Sequence, residues 1–217
     1  MILRRPESAF CLYVLAHGAG AGMRHPFLEA LADALAAEQV ATLRYDFAYM
    51  AEGKRRIDSP PILHARVREA VETARRERLP LFAGGKSMGG RMTSQAQAID
   101  PLPGVLGLAF VGFPLHPAGR PGTERADHLG QVRIPMLFLQ GTRDELADLS
   151  LLRPVLDALP LASLHVLDDA DHSFHVRKRS GRSDAEVVRE LARTFALWAQ
   201  RTIGDWSSRS SRSAGPR

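Results

Sequence analysis

The chain of 217 residues contains a single cysteine, Cys11, and only three lysines, Lys54, Lys86 and Lys178. One cysteine excludes an internal disulfide framework and is compatible with a reducing cytosol, so we expect a cytoplasmic protein. No apolar run approaches the roughly 18 to 20 residues that span a bilayer, so we expect no membrane contact. The overall composition is that of an ordinary globular protein, with 45% hydrophobic and 24% charged residues.

The charge balance is basic, with 29 Lys and Arg against 24 Asp and Glu and a formal net charge of +5. The basic residues are interspersed with acidic ones, and neither an RNP-like strand nor a zinc-finger spacing accompanies them. We therefore predict a solvated surface and no nucleic-acid partner. Whether the basic run at residues 177–179 contacts an anionic substrate stays open.

Short apolar runs alternate with amphipathic segments along the chain. Six runs are near-continuously hydrophobic, as strands buried on both faces are: residues 10–16, 40–45, 79–83, 105–111, 136–140 and 163–167. The alternation predicts an α/β fold, with a mostly parallel sheet of about six strands and helices on both faces. An irregular edge strand near the N-terminus fits this scheme. We expect one domain over residues 1–205 and a polar, flexible tail over residues 206–217.

The third run leads into a glycine-rich turn in which Gly85, Ser87 and Gly89 satisfy the pattern G-x-S-x-G. This spacing is typical of a strained strand-to-helix turn that exposes a serine hydroxyl above the sheet. A helix that starts at Met88 directs its first backbone N–H groups at the place where an oxyanion would form. Ser87 is the predicted nucleophile. Lys86, next to it, is interpreted as an unconstrained position.

A serine nucleophile needs a base and an acid, and both follow later strands. Asp144 stands just after the fifth run and is preferred as the acid over Glu145 and Asp148. His172 follows the sixth run and is preferred as the base over His175. The order serine, aspartate, histidine is that of an α/β-hydrolase. The His-x-x-His spacing lacks the carboxylates of a metal site, so we expect no metal and no cofactor.

The first run ends in a second glycine-rich turn, residues 17–22, with the sequence HGAGAG. Such a turn supplies the second oxyanion donor in these enzymes. The backbone N–H of Ala19, or that of Gly20, would act together with that of Met88. A dinucleotide-binding loop is the competing interpretation, but it fails because Met23 occupies the third glycine position.

Four segments resemble those of the α/β-hydrolase superfamily, in a small bacterial dienelactone-hydrolase-like branch: residues 17–22 (HGAGAG), 47–50 (FAYM), 85–91 (GKSMGGR) and 171–174 (DHSF). This branch is related to a hydrolase-like subunit of animal histone-acetyltransferase complexes. The resemblance extends from about residue 10 to the last helix. It implies the hydrolase fold and hydrolytic chemistry, and it implies no particular substrate.

The predicted function is a carboxylesterase-like serine hydrolase that cleaves a small acyl substrate through a seryl-enzyme intermediate. The region between the fourth and fifth runs, residues 112–133, is too short for a lid domain, so we expect none. A thioesterase or peptidase with the same triad is one alternative. A non-catalytic binding or scaffold protein that keeps the fold is another. Monomer and homodimer both stay open.

Overall fold

The structure is a computed structural model that describes residues 1–213 of the chain. Within these residues seven strands form one sheet: β1 (Ile2–Arg4), β2 (Cys11–Ala16), β3 (Val40–Tyr45), β4 (Leu81–Lys86), β5 (Val105–Val111), β6 (Met136–Gly141) and β7 (Ala162–Leu167). Their spatial order is β1-β3-β2-β4-β5-β6-β7. Strands β2 to β7 pair in parallel, and β1 pairs antiparallel with β3.

The sheet has seven strands, one more than the predicted count of about six. The additional strand, β1, has three residues and lies at the edge of the sheet, near the N-terminus, where the sequence allows an irregular edge strand. Leu3 and Arg4 are exposed, so no apolar run marks this strand in the sequence. It forms because the unpaired edge of β3 offers backbone donors and acceptors, a condition that only the folded sheet creates.

Six α-helices surround the sheet in residues 1–213: α1 (Pro26–Ala37), α2 (Ala48–Ala51), α3 (Pro60–Arg75), α4 (Met88–Ile99), α5 (Leu149–Asp157) and α6 (Asp184–Ser213). Short 3-10 helices cover Glu124–Gln131 and Lys178–Ser180. Helices α3, α4 and α5 pack against one face of the sheet, and α1 and α6 pack against the other. The prediction of helices on both faces is confirmed.

Strand β2 illustrates why the strands read as unbroken apolar runs. Leu12 and Val14 point into the core beneath α3 and α4, whereas Tyr13 and Leu15 point into the core beneath α1 and α6. Neither face meets water, so alternate residues do not need to be polar. Burial of one such leucine or valine contributes about 1.5–3 kcal/mol. The Tyr13 hydroxyl donates to the carbonyl oxygen of Ala109 at 2.8 Å, which satisfies its one buried polar group.

Helix α6 begins with a capping box. The Ser183 backbone N–H donates to Glu186 Oε2 at 2.7 Å, and the Glu186 N–H donates to Ser183 Oγ at 3.3 Å. The helix then continues to Ser213, past residue 206, where the sequence predicts the start of a polar tail. Residues 214–217 of that tail lie outside the described part of the chain.

The connection between β5 and β6 contains no lid domain in the described structure. Its residues Phe113, Leu115 and Leu129 are fully buried in the core shared with α3 and α4. The segment therefore packs along the body of the domain. Among residues 1–213, no helix has the length and apolar character required to cross a membrane.

Candidate active site

The candidate residues lie on loops that leave the carboxyl ends of the parallel strands. Ser87 follows β4, Asp144 follows β6 and His172 follows β7. The turn at residues 17–22 follows β2, which pairs with β4. Parallel strands end at the same edge of the sheet, so residues far apart in the chain meet there.

The turn at Ser87 depends on the two glycines of the G-x-S-x-G pattern. Ser87 has φ +50° and ψ −119°, a conformation that non-glycine residues rarely adopt. A Cβ atom on Gly85 would lie 2.3 Å from the carbonyl oxygen of Ala16, and one on Gly89 would lie 2.4 Å from that of His17. Only glycine fits at these two positions, because the backbones of β4 and α4 press directly against the end of β2.

The structure brings Ser87, His172 and Asp144 together in one hydrogen-bonded chain. His172 Nε2 lies 2.8 Å from Ser87 Oγ, and His172 Nδ1 lies 2.8 Å and 2.9 Å from the two carboxylate oxygens of Asp144. An ionised carboxylate only accepts hydrogen bonds, so Nδ1 carries the proton. Nε2 is then free to accept the serine proton. The imidazole has the tautomer and the position that a general base requires.

Three donors hold the Asp144 carboxylate, whose side chain is 0% exposed. Besides His172, the Leu146 backbone N–H donates to Oδ1 at 2.8 Å, and Gln140 Nε2 donates to Oδ2 at 2.5 Å. Gln140 is itself fully buried, and its Oε1 accepts from the Phe113 N–H at 2.9 Å. Sequence reasoning missed Gln140. Its signal is a polar residue inside the apolar run of β6, since buried amides require partners.

The competing acids and the competing histidine point elsewhere. Glu145 and Asp148 are exposed, and Asp148 caps α5 by accepting from the Ser150 N–H at 2.8 Å. His175 is exposed and bonds Asp184 at 2.9 Å, which raises the pKa of the imidazole. Of these candidates, only Asp144 and His172 lie in line with the serine.

An ion pair fixes the loop that carries His172. Arg177 donates through Nε to Asp169 Oδ1 at 2.7 Å and through its backbone N–H to Oδ2 at 2.9 Å. Arg143 bonds the Asp169 carbonyl oxygen at 2.8 Å. The bonds from Arg177 lower the pKa of Asp169 to about 2. Part of the basic run at residues 177–179 is thus engaged in an ion pair within the chain.

His17, at the start of the first glycine-rich turn, has a structural place. It is 0% exposed; its Nδ1 donates to the Gly18 carbonyl oxygen at 2.8 Å, and its Nε2 accepts from the Phe47 N–H at 3.1 Å. Burial lowers the pKa of this imidazole, which keeps it neutral. The side chain therefore ties the loop after β2 to the loop after β3.

A cleft of about 310 Å³ opens over the serine and the histidine. The residues that line it come from the glycine-rich turn, the start of α1, the serine turn and the histidine loop: Gly18, Ala19, Ala21, His25, Phe27, Leu28, Lys86, Ser87, Leu146, His172 and Ser173. Of the two predicted oxyanion donors in the first turn, Ala19 lines the cleft and Gly20 does not. Met88, the predicted donor in the serine turn, is the first residue of α4 and directly follows Ser87.

Among the cleft residues with titratable side chains, His25 and Lys86 had no functional role in the sequence-based interpretation. His25 precedes α1, and its Nδ1 accepts from the Phe27 N–H at 3.3 Å. Lys86 is the last residue of β4. In the described part of the chain, no group of three or more His, Cys, Asp and Glu side chains is placed to hold a metal ion.

A mostly parallel sheet that carries these groups on the loops of its carboxyl edge is the architecture of the α/β-hydrolases. The chain belongs to the alpha/beta hydrolase domain family, whose model matches residues 10–200.

Solved structures of similar fold support this assignment. A dienelactone hydrolase from Anabaena variabilis aligns with TM-score 0.71 and 21% identity, covering 92% of this chain and 89% of that one. An α/β serine hydrolase homologue from Coxiella burnetii aligns with TM-score 0.69 and 21% identity, covering 89% of each chain. A lidless α/β serine hydrolase from Xanthomonas campestris gives 0.66 and 20%, covering 89% and 87%. At these identities the likeness is one of fold.

The Asp169 ion pair yields a prediction about acid stability. Because the folded state lowers the pKa of Asp169 from 3.8 to about 2, its contribution to stability is complete above pH 3.8. That contribution is lost as the pH falls toward 2. Asp169→Asn should lower the melting temperature at neutral pH and make it less dependent on pH between about 4 and 2. Thermal melts followed by circular dichroism measure both effects.

Asp168→Asn is the matched control, because Asp168 is exposed and its carboxylate lies 3.4 Å from the Thr142 hydroxyl. A pH dependence equally reduced in both variants would show that the Asp169–Arg177 pair does not hold the loop.

Proposed function

We propose that this protein is a serine hydrolase that cleaves small carboxylic esters through a seryl-enzyme intermediate. The observation that carries the proposal is the 2.8 Å contact between Ser87 Oγ and His172 Nε2, continued by the contact of Nδ1 with the buried Asp144. A serine in a strained strand-to-helix turn, a neutral imidazole and a buried carboxylate are the groups that acyl transfer to water requires.

In the proposed reaction, Ser87 Oγ attacks the ester carbonyl carbon while His172 Nε2 takes the hydroxyl proton. The carbonyl oxygen becomes an oxyanion, which accepts from the backbone N–H groups of Met88 and Ala19. When the intermediate collapses, the bond to the leaving alkoxide breaks and His172 returns the proton to it. Water then attacks the acyl-serine in the same way and releases the acid. The reaction needs no cofactor.

The role proposed for Asp144 is to hold the imidazole and to stabilise its cation. Its carboxylate is removed from water, so the charge acts on His172 through a low local dielectric. Gln140 and the Leu146 N–H occupy further lone pairs of the carboxylate, which restricts its orientation. We propose that this restriction keeps Nε2 directed at Ser87.

The intact hydrogen-bonded chain favours this enzyme over a non-catalytic scaffold that keeps the fold. A protein without catalytic turnover has no need for an unfavourable backbone conformation at Ser87 or for a buried carboxylate aligned with an imidazole. Thioesters and amides use the same machinery, so a substrate panel has to include them. The similar protein from Anabaena variabilis is a dienelactone hydrolase, and a lactone is a cyclic ester, which agrees with ester chemistry.

The first prediction concerns the nucleophile. Ser87→Ala should lower kcat for p-nitrophenyl acetate by roughly 10⁴-fold or more, because the attacking oxygen is removed. A fluorophosphonate probe should label the native protein stoichiometrically at Ser87 and leave the variant unlabelled. Ser163→Ala, on the exposed side of β7, is the control for a lost hydroxyl. Native-like turnover by Ser87→Ala would disprove the assignment.

The second prediction separates the acids. Asp144→Asn should reduce kcat/KM by about 10³–10⁴-fold, since an amide in place of the carboxylate favours the wrong imidazole tautomer. Glu145→Gln, at the exposed neighbouring position, should remain close to the native value. Steady-state kinetics on p-nitrophenyl acetate with both variants decides the point. Comparable losses in the two would mean that Asp144 is not the acid partner of His172.

The third prediction concerns acyl chain length. The cleft measures about 310 Å³ and no lid closes over it in the described structure. Each methylene that leaves water contributes about 0.8 kcal/mol, and carbons that extend beyond the cleft forfeit that gain. On p-nitrophenyl esters, kcat/KM should therefore be highest from acetate to butyrate and fall for longer chains. A maximum at octanoate or beyond would show that a deep apolar tunnel forms.

A further inference from the structure

A second cavity, of about 410 Å³, lies between α3, α4 and the 3-10 helix at Glu124–Gln131. The residues that line it are His64, Gln95, Ala98, Ile99, His128 and Gln131. None of them lines the cleft over Ser87. The cavity is therefore distinct from the candidate active site, although α4 borders both.

The polar side chains around this cavity bond to one another. His64 Nε2 lies 3.1 Å from Gln95 Oε1, and His128 Nε2 lies 2.7 Å from Ser94 Oγ. Ser94 Oγ in turn donates to the Arg91 carbonyl oxygen at 2.9 Å. Burial lowers the pKa of both imidazoles, that of His128 to about 4, so both are neutral at pH 7. The acceptor groups named here are thus occupied, and none of them carries a negative charge.

The guanidinium group of Arg91 lies beside this cavity without a partner. Arg91 stands one turn before Gln95 on α4, and its charge acts through space on His64 and His128. Its Nε is buried and has no hydrogen-bond partner. In the part of the chain that the structure describes, its side chain forms neither a hydrogen bond nor an ion pair. A partly buried cation in this state is unfavourable, because no protein group replaces the water that it has lost.

A second guanidinium group, that of Arg125 on the 3-10 helix, increases this excess of positive charge. Burial and the charge of Arg125 together lower the pKa of Arg91. Arg125 is itself only partly exposed, and among residues 1–213 no ion pair to its side chain is found. The carboxylates of Glu124 and Asp127, on the same 3-10 helix, are exposed and pair with neither arginine. Two positive charges therefore lie near each other with no carboxylate in contact.

Arg68, which also lies near the cavity, shows what a satisfied guanidinium group looks like in this region. Its Nη2 donates to the carbonyl oxygens of Ala96 at 2.6 Å and Asp100 at 2.7 Å. Its Nη1 lies 3.1 Å from the Asp100 carboxylate. The fold therefore provides acceptors for Arg68, whereas it provides none for Arg91 and Arg125.

We propose that Arg91 and Arg125 bind a phosphate group at this second site, away from the cleft over Ser87. A phosphate group carries about 1.5 to 2 negative charges at pH 7 and offers three acceptor oxygens, so it neutralises both guanidinium groups at once. A carboxylate has one charge and two oxygens, which a single guanidinium group already satisfies. The neighbouring cavity, with Ala98 and Ile99 in its wall, has room for an organic group attached to the phosphate.

The test measures binding by isothermal titration calorimetry at neutral pH and constant ionic strength. Inorganic phosphate and phenyl phosphate are the two probes, because free phosphate and phosphate monoesters present the same anionic group. Saturable binding of either probe supports the site. A lower Kd for phenyl phosphate assigns the ligand to the monoesters, because the phenyl ring then occupies the cavity, and equal Kd values assign it to free phosphate.

Arg91→Met and Arg125→Met should each raise the Kd about tenfold or more, since each removes hydrogen bonds between charged groups. Arg76→Met is the matched control, because it removes the same charge from an exposed position at the end of α3. Its Kd should equal the native value. Lys86→Met is a second control, since Lys86 lines the cleft over Ser87, and its Kd should also be native.

Thermal stability supplies an independent readout, which separates a binding role of Arg91 from a structural one. In buffer without phosphate, Arg91→Met should melt at the native temperature or above it, because the arginine has no partner to lose and methionine is apolar. Addition of phosphate should raise the melting temperature of the native protein and of Arg76→Met, since the ligand binds only the folded state. The melting temperature of Arg91→Met should stay nearly constant.

Three results would overturn the inference. Neither probe binds the native protein at millimolar concentration, or the Kd rises equally in Arg76→Met, which would reduce the effect to the net positive charge of the chain. The Kd rises in Lys86→Met and stays native in Arg91→Met, which would place the anion in the cleft. Arg91→Met melts below the native protein by the same amount with and without phosphate, which would give Arg91 a structural role only. No measurement here involves turnover, so the outcome is independent of the proposed hydrolase activity.

Discussion

Close approach of backbone to backbone at the end of β4 is the constraint on which the site depends. A Cβ on Gly84 would lie 1.9 Å from the Ala109 carbonyl oxygen, so β4 and β5 could not pair as they do with any larger residue there. Gly85 and Gly89 meet the end of β2 in the same way. Because the central strand and α4 are pressed between their neighbours, the turn between them is tight and Ser87 is forced to φ +50°. The exposed hydroxyl is a consequence of that packing.

The buried carboxylate of Asp144 imposes a second requirement on the surrounding loops. An unpaired carboxylate in the interior is strongly destabilising, so its lone pairs have to be met by donors. The donors come from the loop after β6, from β6 itself and from the loop after β7. Gln140 also bonds the Phe113 N–H, which links the carboxylate to the segment after β5. The groups that satisfy Asp144 thus align the histidine and tie three loops together.

The sequence predicted those elements that a pattern of neighbouring residues defines. It did not predict those that depend on contacts between distant parts of the chain. The buried strands β2 to β7 are readable because each is an apolar run covered on both faces. Strand β1 has no such pattern, since its pairing with the edge of β3 stabilises it. Gln140 also escaped notice. An amide in a strand acquires its role only from partners distant in the chain.

The sequence by itself determined the alternation of buried strands and helices along the chain and the glycine-rich turn around Ser87. It also determined the short list of candidate acids and bases at the strand ends. These follow from periodicity, burial and glycine placement within a few residues. Only the tertiary structure decided that Asp144 and His172 lie in line with the serine, and that Glu145, Asp148 and His175 do not. The Ser87–His172 contact joins residues 85 positions apart. Such a contact depends on how whole strands pack side by side, and no local pattern encodes that geometry.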